Sequence, residues 1–199
     1  IFSFAAIASV GGIAVCMNAW WKEDEMAYGL EDSGCKVLLA DIERVTTAAP
    51  NLARFGVRAA CVRHDGDLPE GVDRLDEVLT SGASMPEVEV GSEDDATILY
   101  TSGTTGFPKG AVSCHRAVLS GLRAFACRAL VGGMTQPPKE PSPWDPCFIL
   151  AVPLFHVTGL VPVMLSCFAN GFKLVMMYKW SPERALELVE RERVTQFVG

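Results

Sequence analysis

Short, largely apolar runs of four or five residues recur along this sequence, with helix-patterned segments between them. The runs fall at residues 13–17, 37–40, 58–62, 97–100, 148–152 and 173–177, and a further strand begins at 195–198. A continuous apolar run of that length suits a strand buried on both faces, the condition of a parallel sheet covered by helices. Between the runs, residues 22–32 place Met26 and Leu30 four apart behind Glu23, Asp24 and Glu25. Three acids suit the positive end of a helix dipole, and Gly34 follows as a stop. Ser181-Pro182-Glu183 reads as a helix start, with Ser as N-cap and Pro in the first turn, and with Ala185, Leu188 and Val189 as its core face. The pattern predicts an α/β fold of alternating helices and mostly parallel buried strands.

Residues 1–17 are almost wholly apolar. A membrane-spanning helix needs about 20 such residues, and the Gly11-Gly12 pair argues for a break. The expectation is a buried helix ending near Gly11, then a buried strand, with no transmembrane segment and no basic start of a signal peptide. A first residue inside a core helix reads as the start of an internal piece. Residues 65–95 hold eleven acids and one base, which predicts a solvated surface connection, with a helix possible over 72–79. A helix is expected from His115 to about Leu130, with Val118, Leu122, Phe125 and Ala129 as its apolar face. Residues 132–146, with five prolines and two glycines, are expected to form a loop.

Composition removes several function classes. The net charge of −7 and the absence of a Lys/Arg cluster argue against nucleic acid as a partner. Seven scattered cysteines, without a CxxC pair, read as thiols of a reducing, cytoplasmic compartment and not as a zinc site. The three histidines, His64, His115 and His156, show no metal-ligand spacing, so no metal site is assigned.

The chemistry concentrates in TSGTTGFPKG, residues 101–110, directly after the apolar run at 97–100. Glycines bring backbone N–H groups close to an anion, hydroxyls add hydrogen bonds, and Lys109 adds a positive point charge. Thr101, Ser102, Gly103, Thr104, Thr105, Gly106 and Lys109 are the candidate phosphate-binding residues. The spacing is not that of the Walker P-loop, because Lys109 is followed by Gly110 and not by Ser or Thr.

With Ile98-Leu99-Tyr100 before it, this segment resembles the phosphate-binding signature of the adenylate-forming enzymes. These include the AMP-forming acyl-CoA synthetases, the carrier-loading adenylation domains and the beetle luciferases. Pro153-Leu154-Phe155-His156-Val157-Thr158-Gly159-Leu160 resembles the family's next motif, and Trp180-Ser181-Pro182-Glu183 through Gly199 is a weaker third match. The resemblance implies a partial layered sheet–helix fold, with residues 1–199 as an incomplete N-terminal domain and the C-terminal domain absent. It implies ATP and Mg²⁺ as cofactors, with coenzyme A as co-substrate and a small-molecule carboxylic acid as the group activated. The 101–110 residues would hold the β- and γ-phosphates, and His156 would be a catalytic residue at the acyl pocket. Phe155, Val157 and Leu160 would line that pocket or pack in the core. His115 reads as structural and His64 as inert.

The family's adenine, ribose and adenylation-lysine segments do not occur in these residues, so the piece alone is expected to be inactive. Three alternatives stand beside an acyl-CoA ligase: a carrier-loading adenylation domain, a non-catalytic nucleotide-binding relative, and a membrane-anchored interaction protein using residues 1–17.

Overall fold

In the computed structural model the apolar runs become strands, and these pair mostly in parallel. Residues 1–101, 106–135, 140 and 142–198 are described. They fall into two units, Ile1–Ser113 and Cys114–Gly199.

The first unit runs α1 (Phe2–Ser9), β1 (Ala14–Cys16), α2 (Glu23–Asp32), β2 (Val37–Ala40), α3 (Ile42–Phe55), β3 (Arg58–Cys61), β4 (Val72–Arg74), the short α4 (Leu75–Val78), β5 (Asp95–Thr101) and β6 (Lys109–Cys114). Its strands form two sheets, ordered β1-β5-β6 and β2-β3-β4. Val15 pairs in parallel with Ile98, and Leu38 with Ala59. The β2-α3-β3 crossover has sharp ends. Asp41 Oδ1 accepts the Arg44 N–H at 3.2 Å, and Gly56 closes α3 in the left-handed conformation. Met26 and Leu30 of α2 and Val45, Ala48 and Leu52 of α3 bury against Leu38, Ala59, Cys61 and Val72. Acids in the first turn and the Gly34 stop of α2 stand where expected, and Glu25 also accepts the Lys22 N–H at 3.1 Å.

Three expectations for this unit need correction. None of α1 is buried, and Phe2 is 92% exposed. Apolar residues go all round this helix, and Phe4, Ile7 and Ala8 are only half-buried. Residues 72–74 are a strand and not a helix, because Val72 pairs beside Ala59 and is buried there, leaving only 75–78 helical. Val37, placed in a buried strand, is exposed at the start of β2.

The second unit runs α5 (His115–Thr135), β7 (Cys147–Leu150), a π-helical segment (Gly159–Leu165), α6 (Ser166–Asn170), β8 (Lys173–Met176), α7 (Pro182–Glu192) and β9 (Gln196–Val198). The sheet order is β8-β7-β9, all parallel. Alternation along β7 sorts the layers. Cys147 and Ile149 face Ala185 and Leu188 of α7, whereas Phe148 faces Val163 and Cys167 on the other side. Ser181 caps α7 as expected, its Oγ accepting the Arg184 N–H at 3.2 Å. Val189, expected in the core, is exposed.

Helix α5 continues past Leu130 to Thr135, so Gly132 and Gly133 are helical and not loop. Pro137, Pro138 and Pro141 lie outside the described residues. Val118, Leu122 and Phe125 are half-buried, but Ala129 is exposed. This helix is the one described element long and apolar enough to cross a membrane by length and composition. It carries Arg123 and Arg128 along its middle, and each charge at a bilayer centre costs at least ~2.5 kcal/mol. Its half-buried stripe instead packs on the π-helical segment.

All seven cysteines are unpaired thiols, and burial pushes Cys16 and Cys167 up to about 11. At the end of α7, Lys173 Nζ donates to Glu192 Oε2 at 2.5 Å and to its carbonyl at 3.2 Å, and Arg191 Nε donates to Oε1 at 2.8 Å. The Lys173 hydrogen bond, then that of Arg191, holds the Glu192 carboxyl below its ordinary value. A depressed folded pKa stabilises above the unfolded value and loses that contribution as pH falls through the folded one. Glu192→Gln therefore melts below the parent at neutral pH. The gap closes as a thermal-melt series passes below about pH 4.

Candidate functional site

The loop after β5 opens at the carboxyl end of a parallel strand pair, the end where α/β sheets place their ligands. Ser102, Gly103, Thr104 and Thr105 lie outside the described residues. The two limbs that carry them are described. Thr101 ends β5, is exposed, and its Oγ1 donates to the Lys109 carbonyl at 3.4 Å. Gly106 has φ +131°, a conformation in which a side chain would be strained. Lys109 begins β6 and is exposed, so it belongs to a strand and is held by its backbone. Its ammonium has no carboxylate partner among the described residues.

The incoming limb has a supporting shell that sequence reasoning did not find. Tyr100 Oη donates to Asp32 Oδ2 at 2.7 Å, and the Trp21 ring meets the Tyr100 ring edge-on at 5.1 Å. Burial, then the hydrogen bond and charge of Asp32, drive the Tyr100 phenol far up, so it stays a donor. Gly110 lies under these groups. A Cβ there would stand 2.9 Å from Ile98 Cγ2 and 3.3 Å from the Tyr100 ring. The only signal available from sequence was the placement of Gly110 directly after Lys109.

His156 lies in the second unit, in the turn beyond the carboxyl end of β7. Its N–H donates to the Pro153 carbonyl at 3.0 Å, and its own carbonyl accepts from Leu160 at 3.1 Å. The ring is exposed, and Nδ1 accepts the Thr158 N–H at 3.2 Å. That bond ties the Nδ1 side of the ring to its own backbone turn. A histidine thus caps the helix that follows it. That helix opens as a π-turn because Pro162 has no N–H for the α ladder and its ring would crowd the carbonyl four residues back. Gly159 and Leu160 are buried, Phe155 is half-buried and Val157 is exposed. Core packing therefore accounts for Leu160, while Val157 is open to a ligand.

The other two histidines belong to other elements. His115 is the first residue of α5, and its Nε2 is buried without a hydrogen-bond partner among the described residues. His64 lies over Gly66, and its carbonyl accepts from Arg74. Among the described residues no three His, Cys, Asp or Glu side chains gather as a metal site. A cleft of about 490 Å³ opens at the amino ends of β7 and β8, where Lys173 is already neutralised by Glu192. It holds none of the residues singled out from sequence.

Comparison with known proteins gives this arrangement a family. The profile of the family described as AMP-binding enzyme matches residues 1–199. A long-chain-fatty-acid–CoA ligase of Mycobacterium tuberculosis is 31% identical over 194 residues, covering 96% of this chain and 35% of the relative. 4-Coumarate–CoA ligase 3 of Arabidopsis thaliana is 26% identical over 198 residues, covering 98% of this chain and 33% of the relative. The chain thus spans about a third of the length of these curated relatives. Among solved structures, ATP-bound MatB from Rhodopseudomonas palustris superposes with a TM-score of 0.72 at 25% identity, over 98% of this chain and 36% of its own. The family profile spans the whole chain, strand–loop–strand at 95–114 and His-capped turn at 153–160 included, and the chain belongs to the AMP-binding enzymes.

Proposed function

We propose that the protein carrying this chain is an AMP-forming acid–thiol ligase that activates a small-molecule carboxylic acid with ATP and transfers it to coenzyme A. The observation that carries this reading is the loop itself. It has hydroxyls, glycines and a lysine with no carboxylate partner among the described residues, and it opens at the carboxyl end of a parallel sheet. Within 101–110 there is no acid, so the donor set suits phosphate oxygens and repels none of them. Mg²⁺ bound to the triphosphate would add charge neutralisation, and the Thr and Ser hydroxyls of this loop are oxygen donors of the kind it accepts.

The substrate carboxylate oxygen attacks the α-phosphorus, and the bond from that phosphorus to the bridging oxygen of pyrophosphate breaks. Thr101, Gly106, Lys109 and the hydroxyls between them hold the departing pyrophosphate and offset its charge. The thiol sulfur of coenzyme A, its proton released to solvent, then attacks the acyl carbon, and AMP leaves with the electron pair of the acyl–oxygen bond. His156, its ring exposed at the turn, is assigned to orient the carboxylate at the acyl site. Relatives named for fatty-acid and 4-coumarate ligation support a carboxylic acid in general, aliphatic or aromatic. Unpaired thiols throughout support a reducing, cytoplasmic setting.

The test is acid-dependent exchange of labelled pyrophosphate into ATP by the whole protein. Lys109→Ala is expected to lower exchange by about 10²-fold, the scale on which removing one transition-state donor acts, with an unchanged thermal midpoint. ATP binding without exchange for any acid in a broad panel would replace this reading with a non-catalytic nucleotide-binding protein.

A further inference from the structure

Two contacts on one face of α2 hold the two limbs of the loop. Tyr28 and Asp32 stand four residues apart and so lie one above the other on the helix. Asp32 takes the incoming limb through the Tyr100 hydroxyl. Tyr28 takes the returning limb, its ring stacked on Phe107 with centroids 4.7 Å apart and planes 19° from parallel. Phe107 is otherwise 59% exposed, and among the described residues this stack is its one ring contact.

The residues around Phe107 make that contact consequential. Gly106 before it is a joint at φ +131°, and Pro108 after it has its φ fixed by its ring. The limb is therefore a swivel, an anchored ring and a stiff link ending at Lys109. The Phe107 ring carries no hydrogen-bonding group, and the Tyr28 hydroxyl is engaged with Asp32. What they offer is placement.

Resting on the adenylating function above, we propose that Tyr28 and Phe107 are positioning residues for the triphosphate. Their stack holds the Gly106-to-Lys109 limb on α2 and so sets the affinity of the loop for MgATP. Phe107 supplies the anchor from the loop, and Tyr28 supplies the platform from a helix some eighty residues earlier in the chain.

The test measures MgATP binding calorimetrically, and the KM for ATP in pyrophosphate exchange, on the whole protein. Phe107→Ala and Tyr28→Ala each weaken binding and raise that KM by about three- to tenfold, the range to which an aromatic pair converts. The kcat and the thermal midpoint stay at parental values, as the exposure of Phe107 allows. Tyr28→Phe and Phe107→Tyr keep a ring in place and keep parental affinity. The double alanine variant is no weaker than either single one, because both remove one contact. Parental affinity in both alanine variants, with Lys109→Ala weakened, overturns this inference and leaves the adenylating function standing. Equal weakening by the ring-preserving variants overturns the stack as the cause. Failure of the parent to bind MgATP overturns both.

Discussion

Gly159→Ala is expected to be the most damaging single-methyl change in the second unit, lowering its stability by at least about 3 kcal/mol and abolishing acid-dependent pyrophosphate exchange. A Cβ at Gly159 would stand 2.5 Å from the Val152 carbonyl oxygen and 2.5 Å from that of Pro153. Both neighbours are backbone, so no rotamer change relieves the overlap. Overpacking a core by a methylene costs about 1–3 kcal/mol where side chains can give, and this contact belongs above that range. The Pro153 carbonyl also accepts the His156 N–H, so any shift that admits the methyl moves the histidine turn. Two other glycines make the control. A Cβ at Gly121 in α5 meets Val161 at an ordinary 3.8 Å, and one at Gly133 meets nothing within 4 Å. Gly121→Ala and Gly133→Ala should stabilise by about 0.5–1 kcal/mol each, since alanine holds a helix better than glycine. Denaturant titration of the three variants checks the signs. A Gly159→Ala protein that melts with the parent and exchanges pyrophosphate would show that the turn is softer than its geometry requires.

The contrast between those glycines marks where sequence stops being informative. Strand order along the chain was legible because each buried strand needs an apolar run, and helix ends were legible at Ser181 and Gly34 because capping is chemistry between near neighbours. The phosphate loop was legible for the same reason: its hydroxyls, glycines and lysine act within ten residues. Pairing was not legible. That Val72 would sit beside Ala59 depends on a partner strand outside its own segment, and 72–79 alone reads equally well as a helix. Gly132 and Gly133 read as loop, but neither has the positive φ with which glycine often closes a helix, and α5 runs on through both. The π-turn at 159–165 follows from Pro162, yet an apolar run containing a proline does not announce which way the ladder adjusts. The support of the loop was hidden most deeply. Asp32 and Tyr100 are sixty-eight residues apart, and nothing in either local pattern points to the other.

Gly29→Ala carries that long-range dependence into a measurable prediction. On helix propensity alone the change should stabilise α2 by about 1 kcal/mol. The structure predicts the opposite sign. A Cβ at Gly29 would stand 2.4 Å from Trp21 Cζ3 and 3.1 Å from Cη2, because the indole occupies the space left at the one position of α2 without a side chain. Trp21 is only 7% exposed, so the ring cannot swing into solvent without uncovering the surface it buries. The same ring meets Tyr100, which is tied to Asp32 three residues beyond Gly29 on the same helix. The methyl therefore presses on a closed ring of contacts: Gly29 to Trp21, Trp21 to Tyr100, Tyr100 to Asp32. Overpacking of that kind costs about 1–3 kcal/mol, and the loss of the Tyr100 anchor reaches the loop. Gly29→Ala should lower the unfolding midpoint of the protein, shift Trp21 fluorescence and weaken MgATP binding together. Trp21→Leu in the same chain removes the atoms in conflict and should recover part of both losses, a coupling that independent sites would not show. A Gly29→Ala variant more stable than its parent would mean that Trp21 packs elsewhere, and the support drawn here for the phosphate loop would have to be drawn from other residues.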